Sequence, residues 1–410
     1  MTATPDPVAR RAMWAVSAVF MLNGFALATW ISRIPAVRAQ LHLSPAQLGL
    51  LLLSASFGAV LALPLAGLLV GRIGPRVTVT VMALLMCVGL TTAGIGSSFS
   101  VIPVVCGLFL MGLGQGSWDV AMNVEGAAVE QRLGRAIMPR FHAGFSVGTV
   151  VAALMGAGAA GVGVPVSVHL PVLAVLLAVG VPLATRSFLP RVPTADGEHA
   201  GVAAVLQAWR EPRTLLIGVV VLAFAFAEGT GNDWLAVTTV DAFHTSGAIG
   251  SLVFAVFVTA MTLGRLLGPP LLDRFGRVPV LRGTAALAAL GLAAVVLGTS
   301  VTWAVVGAVA WGLGASLGFP VGMSAAADDP ARAAARVSVA SSIGYTAFLA
   351  GPPLIGFLGN DFGVQRGLSV AAGLLVVGFL AAGSTRLLPG ATLGARTEPR
   401  SAAELAPSDL

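Results

Sequence analysis

The sequence predicts an all-α integral membrane protein of twelve spanning helices, arranged as two similar six-helix bundles. Three observations carry that expectation. Hydrophobic residues make up 57% of the 410 and charged residues only 10%, against roughly a quarter in ordinary soluble domains, so lipid must be the solvent for much of the chain. Apolar runs of about 20 residues, the length that crosses a bilayer core, recur along the whole chain. Small-residue motifs of the first half return in order in the second, about 200 residues later.

The runs lie near 12–32, 47–71, 77–97, 101–123, 141–162 and 167–186, then near 214–240, 248–271, 278–299, 302–325, 337–358 and 366–387. The first follows directly on a polar start, is too long for a signal-peptide core and has no cleavage site after it, so it reads as a retained helix. The break between the fifth and sixth falls in the glycine-rich stretch Gly156 to Gly163. Leu189 to Arg213, with Pro190, Pro193, Asp196, Gly197, Glu198 and His199, reads as a linker. The expected layout is thus a bundle over 1–188, a cytoplasmic linker over 189–213, a second bundle over 214–388 and a disordered tail over 389–410.

Arginine orients the set. There is no lysine, and with the N-terminus inside, Arg10, Arg11, Arg72, Arg76, Arg132, Arg135, Arg140, Arg186, Arg191, Arg210, Arg213, Arg274, Arg277, Arg282, Arg332, Arg336, Arg386, Arg396 and Arg400 all fall on the cytoplasmic side. Only Arg33, Arg38 and Arg366 fall outside, and Arg265 lies within a span. This is the positive-inside bias. It favours an even helix count, a bacterial inner membrane and both termini in the cytoplasm. The net charge of +6 is spread through short loops, which fits topology signals rather than a nucleic-acid surface.

Other classes are poorly served. Cys87 and Cys106 lie in apolar runs and read as small core residues, not as a disulfide or metal pair. A phosphate-cradling loop needs a lysine, and Gly112-Leu-Gly114-Gln-Gly116 sits inside an apolar helix. No paired-histidine motif suggests a metal, and Asp328-Asp329 is a lone acidic pair at a helix end. No enzyme activity, cofactor or metal is expected.

The halves echo one another. Gly112-Leu113-Gly114 recurs as Gly312-Leu313-Gly314, Gly71-Arg72-Ile73-Gly74 as Asp273-Arg274-Phe275-Gly276, and Ser146-Val147-Gly148 as Ser342-Ile343-Gly344. Duplicated six-helix halves place a solute site at the midplane between bundles that rock about it. Abundant glycine and alanine let helices approach closely, although codon bias is a competing explanation.

Ionisable residues deep in a span cost roughly 2.5–3.5 kcal/mol each on insertion scales and tend to face a cavity or a partner. Asp119 lies one turn from Gln115 and from Asn123, with Trp118 beside it, and reads as a proton-coupling residue; a plain interhelix hydrogen bond is the competing reading. Glu228 falls near the middle of the seventh helix, with Asn232 and then Asp233-Trp234 beyond it. Gly229 and Gly231 suggest local unwinding there. Glu228 is expected to bind substrate or a proton, and Asp233 to couple protons or act as a gate. Arg33 is expected to pair with Asp233 as an external latch, or else to snorkel. Arg265 balances an acidic group or reaches the cytoplasmic interface. His142 reads as a helix-end residue, and Glu125, Glu130, Arg132, Arg135 and Arg140 as a solvated cytoplasmic cluster. Asn23, Gln115, Asn123, Asn232 and Tyr345 offer hydrogen bonds to a hydroxylated solute, and Trp118 and Trp234 offer stacking faces, unless these aromatics are simply core.

Two loop motifs sharpen this. Gly67-Leu-Leu-Val-Gly71-Arg72-Ile-Gly74-Pro75-Arg76 resembles the signature of the major facilitator superfamily, with Gly71 where aspartate is usual. Asp273-Arg274-Phe275-Gly276-Arg277 keeps the aspartate. The resemblance implies a tight turn whose charges latch helix ends. Trp30-Ile-Ser-Arg33-Ile-Pro35-Ala-Val-Arg38, Asp119-Val-Ala-Met-Asn123-Val-Glu125-Gly and Met138-Pro-Arg140-Phe-His142-Ala-Gly144-Phe-Ser resemble the MosC/YbjJ-like branch. The acidic residue and asparagine four apart are more loosely similar to the L-fucose/proton symporter group. What the resemblance implies is the major facilitator fold, acting as a monomer in the bilayer, and proton-coupled uptake of a sugar-like or cyclitol-like solute. The rival is proton-coupled efflux of a drug or metabolite, which the same carboxylates would serve.

Overall fold

The computed structural model describes residues 6–134, 137–190, 202–329 and 332–387. Among these residues the regular structure is helical throughout. In chain order the helices are α1 Pro7–Ile31, α2 Ile34–Gln40, α3 Pro45–Gly96, α4 Val101–Leu133, α5 Met138–Gly161 and α6 Val166–Thr185, followed by α7 Val202–Ala208. Then come α8 Pro212–Phe243, α9 Gly247–Phe275, α10 Arg277–Leu297, α11 Val301–Ala315, α12 Gly318–Ala326, α13 Ala333–Phe362, α14 Val364–Gly367 and α15 Ser369–Ala381.

Among the described residues, eleven continuous segments are long and apolar enough to cross a membrane. The 52-residue α3 holds two of the expected spans, because its backbone leaves the helix at Gly74, with φ 81° and ψ 162°. The same turn closes α9 at Gly276, with φ 78° and ψ 169°. Positive φ is cheap only without a Cβ, so the two loop motifs need glycine at these points for one shared reason. A second pair works through contact. A Cβ on Gly112 would lie 1.9 Å from the Ala55 carbonyl oxygen, and one on Gly312 would lie 2.3 Å from that of Phe257. In each half a glycine thus lets one helix press on the backbone of another.

The observed ends match the apolar runs closely, with three differences. Helix α4 runs ten residues past the expected end at 123. The expected span over 302–325 is two helices that meet at Ser316–Leu317. Part of the expected linker is the short helix α7, whose Ala208 is buried with Ala335 and Val339 of α13. The tail over 389–410 lies outside the described residues. Cys87 is buried as expected, but Cys106 is exposed on the apolar surface of α4.

Helices α1 and α3 to α6 pack on one another, as do α8 to α15. The two groups meet along α3 with α13 and α5 with α9. The ends of the helices differ in chemistry. At the end holding residues 72–76, here called the basic end, two ion-pair networks lie within one group. Asp328 accepts from Arg213 at 2.8 Å and from Arg277 at 2.7 Å, and Glu211 accepts from Arg336 at 2.6 Å and Arg332 at 3.0 Å. At the opposite, distal end the groups are tied to each other. Arg38 forms an ion pair with Asp241, Ser251 Oγ donates to the Ser32 carbonyl at 2.6 Å, and Gly49 packs on the Pro352 backbone. Around Gly67 and Gly71, by contrast, a Cβ would meet nothing within 4 Å. These ties between the groups thus lie at the distal end.

These contacts correct two expectations. Arg33 does not latch onto Asp233; it is buried and donates through Nη2 to the Val164 carbonyl at 2.6 Å. It thereby ties α1 to the turn after α5, and the inter-bundle tie falls to Arg38 and Asp241. The cluster after the fourth span, Glu125, Glu130, Arg132, Arg135 and Arg140, is solvated only in part, because α4 carries its residues onward. Glu125 is buried and accepts the Leu189 N–H at 2.6 Å, while Glu130 accepts the N–H groups of Ile137 and Met138 at the start of α5. Arg132 pairs with Asp6 at 2.7 Å, Arg140 is exposed, and Arg135 lies outside the described residues.

Removing Asp328 would leave the buried Arg277 without its carboxylate, so Asp328→Ala is expected to destabilise the fold by about 3 kcal/mol, the usual cost of breaking a buried pair from one side. A thermal melt in detergent checks this. Hydrogen bonding from Arg336, aided by Thr214 and Arg332, holds the Glu211 carboxyl below its usual value. A carboxyl with a depressed folded pKa lends stability above its unfolded pKa and loses it as pH falls through the folded value. Melting temperature should therefore drop on acidification below the ordinary glutamate range, and Glu211→Gln should flatten that drop.

Candidate functional site

Helix α8 is the most deeply buried of the spans. Between Ala223 and Thr239 every residue is buried except Glu228, Gly229, Asn232 and Asp233. These four lie on one face, at helical spacing. A lone accessible stripe that is polar, on an otherwise buried helix, marks an internal chamber rather than lipid. Gly229 and Gly231 do not unwind the helix, which is continuous through them; they make room for the Phe348 and Phe257 rings.

Helix α4 carries a second polar face. Gln115, Asp119 and Asn123 fall one turn apart along it and all are half-buried. Asn123 Nδ2 donates to the Asp119 carbonyl at 2.9 Å and lies 3.5 Å from Asp119 Oδ1. Gln115 Nε2 donates to Oδ1 of the wholly buried Asn23 in α1 at 2.7 Å. Tyr345 of α13 is near enough to feel the charge of Asp119 across the boundary between bundles.

Charge is divided unevenly. Glu228 accepts from Arg265 of α9 at 2.9 Å, so Arg265 balances the acidic group nearest the centre. His142 of α5 stands edge-on to Phe20, with ring centroids 5.1 Å apart, and feels Arg265 from the other bundle. Asp119 and Asp233 form no ion pair among the described residues. A carboxyl group so placed crosses an apolar region only if it is protonated or paired, which suits it to reversible proton binding.

Other sequence candidates sit elsewhere. Trp118 and Trp234 are fully buried, each with an indole N–H that has no partner. Arg72, Arg76, Asp273 and Arg274 are exposed at the basic end, with Arg274 over the Phe275 ring at 5.1 Å. Of the loop-motif charges, Arg277 is buried, on Asp328 and Ser324. Arg38, Asp241 and Asp328 were not among the site candidates. Their partners are 51 to 203 residues away in the chain, beyond the reach of any spacing rule. Among the described residues no group of histidine, cysteine, aspartate and glutamate could hold a metal. A separate apolar groove of about 220 Å³ lies where α5, α9 and α11 meet, lined by Leu154, Leu252, Val256, Leu263 and Leu313 among others.

The chain matches known proteins along nearly all its length. The family model for the Major Facilitator Superfamily matches residues 13–238 and 232–407. The chain is 33% identical to an uncharacterized transporter, y4wD, of Sinorhizobium fredii, over 84% of this chain and 90% of that one. It is 28% identical to the membrane protein MosC of Rhizobium meliloti, over 90% of each. Among solved structures, the nucleoside transporter NupG superposes with a TM-score of 0.74 at 16% identity, over 91% of this chain and 98% of that one. A point variant of the E. coli fucose:proton symporter FucP does so with 0.64 at 15% identity, over 92% and 98%. With a family match over both halves of its length and paired turns at Gly74 and Gly276, the chain belongs to the Major Facilitator Superfamily of membrane transporters.

Proposed function

We propose that this protein is a proton-coupled symporter for a small polar solute, sugar-like or cyclitol-like, and that it works by alternating access. The observation that carries the reading is the half-buried polar stripe of α8, Glu228, Asn232 and Asp233, in one bundle and the half-buried polar face of α4, Gln115, Asp119 and Asn123, in the other. Hydrogen-bonding side chains on both bundles suit a hydroxylated solute that must touch both halves to draw them together. Asp119 and Asp233 are the proton-coupling residues, since neither is neutralised by an ion pair, whereas Glu228 is held by Arg265 and binds solute through its remaining oxygen. Asn23, Gln115, Asn123, Asn232 and Tyr345 contribute hydrogen bonds. The distal tie of Arg38 with Asp241 serves as the gate.

Arginine asymmetry supports a cytoplasmic basic end, with both termini in the cytoplasm of a bacterial inner membrane. The ties at the distal end then support an inward-open state, from which solute and proton leave together. Each chain holds a complete chamber, so a monomer is the working unit. NupG and FucP are, by their descriptions, transporters of a nucleoside and of fucose, both polar solutes, which supports the substrate class. Efflux of an amphipathic solute is the second reading, favoured by the apolar groove at α5, α9 and α11.

In proteoliposomes carrying a pH indicator, addition of a sugar, cyclitol or nucleoside should alkalinise the exterior. Asp119→Asn should reduce proton movement at least tenfold while solute counterflow, which needs no net proton transfer, persists. Proton movement opposite to a cationic drug, with none for any polar solute, would promote efflux instead.

A further inference from the structure

The amide pair at the centre of the first bundle is incompletely satisfied. Gln115 Nε2 donates to Asn23 Oδ1 at 2.7 Å, and Asn23 Nδ2 and Gln115 Oε1 are left buried with no partner among the described residues. Turning both amides over exchanges the atoms but not the outcome, which is still one bond, one orphan donor and one orphan acceptor. Buried amide groups without partners are costly in an apolar interior, and two leucines would fill the same space without that cost. Asn23 is wholly buried, while Gln115 is half-buried one turn from Asp119. The unmet groups are themselves buried, directly behind the half-buried polar face that Gln115 shares with Asp119 and Asn123.

We propose that Asn23 and Gln115 form an amide clamp that reads one hydroxyl group of a neutral solute, with Asn23 Nδ2 donating to the hydroxyl oxygen and Gln115 Oε1 accepting its proton. A hydroxyl accepts and donates at a single oxygen and so satisfies both orphans. A carboxylate would meet only the donor, an ammonium only the acceptor, and an apolar group neither. The clamp rests on the transport reading above and gives its solute preference to two named residues. Discrimination follows from what is left behind, because a deoxy analogue leaves both amide groups unpaired again.

The test pairs stability with binding. Wild-type protein and the Asn23→Leu/Gln115→Leu double variant are melted without solute, then titrated with L-fucose, myo-inositol and uridine, with their monodeoxy analogues, and with tetraphenylphosphonium. Replacing both members of an unsatisfied pair with apolar groups should leave the solute-free melting temperature unchanged or higher. At least one of the three hydroxylated probes should stabilise the wild type, bind at least tenfold more weakly in the variant, and do likewise as one of its deoxy analogues. If the double variant fails to fold, Gln115→Met, closer in volume, carries the same comparison. A hydroxylated probe bound equally by wild type and variant overturns the clamp alone and leaves the orphans to water. A lower solute-free melting temperature with unchanged binding makes the pair an internal tie and also overturns it. Wild-type protein that binds none of the three overturns the polar-solute reading and the clamp with it.

Discussion

In a bilayer a charge has nowhere to go for solvation, so the pairing of charges governs this structure. At the basic end Asp328 is held between Arg213 and Arg277, and Glu211 between Arg332 and Arg336. Both networks stay inside the second bundle and make it rigid. At the distal end the pair of Arg38 with Asp241 joins one bundle to the other. On the alternating-access proposal the first kind of pair persists through the motion, while the second breaks. Between the two ends lie Asp119 and Asp233, which have no ion-pair partner among the described residues, and on the symport proposal a moving proton satisfies their charge.

Small residues supply the rest. The matched turns at Gly74 and Gly276 and the matched contacts of Gly112 and Gly312 give the bundles similar internal geometry, although the chemistry facing the chamber differs. The first bundle presents amides and a lone carboxyl; the second presents an ion pair, a second lone carboxyl and the phenol of Tyr345. This division suits a solute that is hydrogen-bonded by one side and a proton that is managed by both.

Much of this was legible in the sequence. Twelve apolar runs gave the spans, because lipid leaves length and hydropathy as the dominant constraint. The turn at Gly74 was marked by its motif, and the spacing of Gln115, Asp119 and Asn123 put them on one face. Contacts between elements far apart in the chain were not legible. Arg33 and Asp233 looked like partners because both approach the distal end, yet the turn after α5 takes Arg33 first. Glu125 and Glu130 looked solvated because the apolar run stops before them, whereas α4 continues and buries Glu125. Trp118 and Trp234 looked like stacking faces because they adjoin the carboxyls in sequence; one residue along a helix is a turn of about 100°, which carries both into the packed interior.

Electron-spin distance measurement tests the reciprocal motion most directly, with label pairs at the exposed positions Ala39 and His244 for the distal end and Ile73 and Phe275 for the basic end. Two bundles rocking about a central polar site predict opposite changes, the distal pair moving apart as the basic pair closes when solute and proton are supplied. Distances that stay fixed at both ends, or that lengthen together, would contradict it.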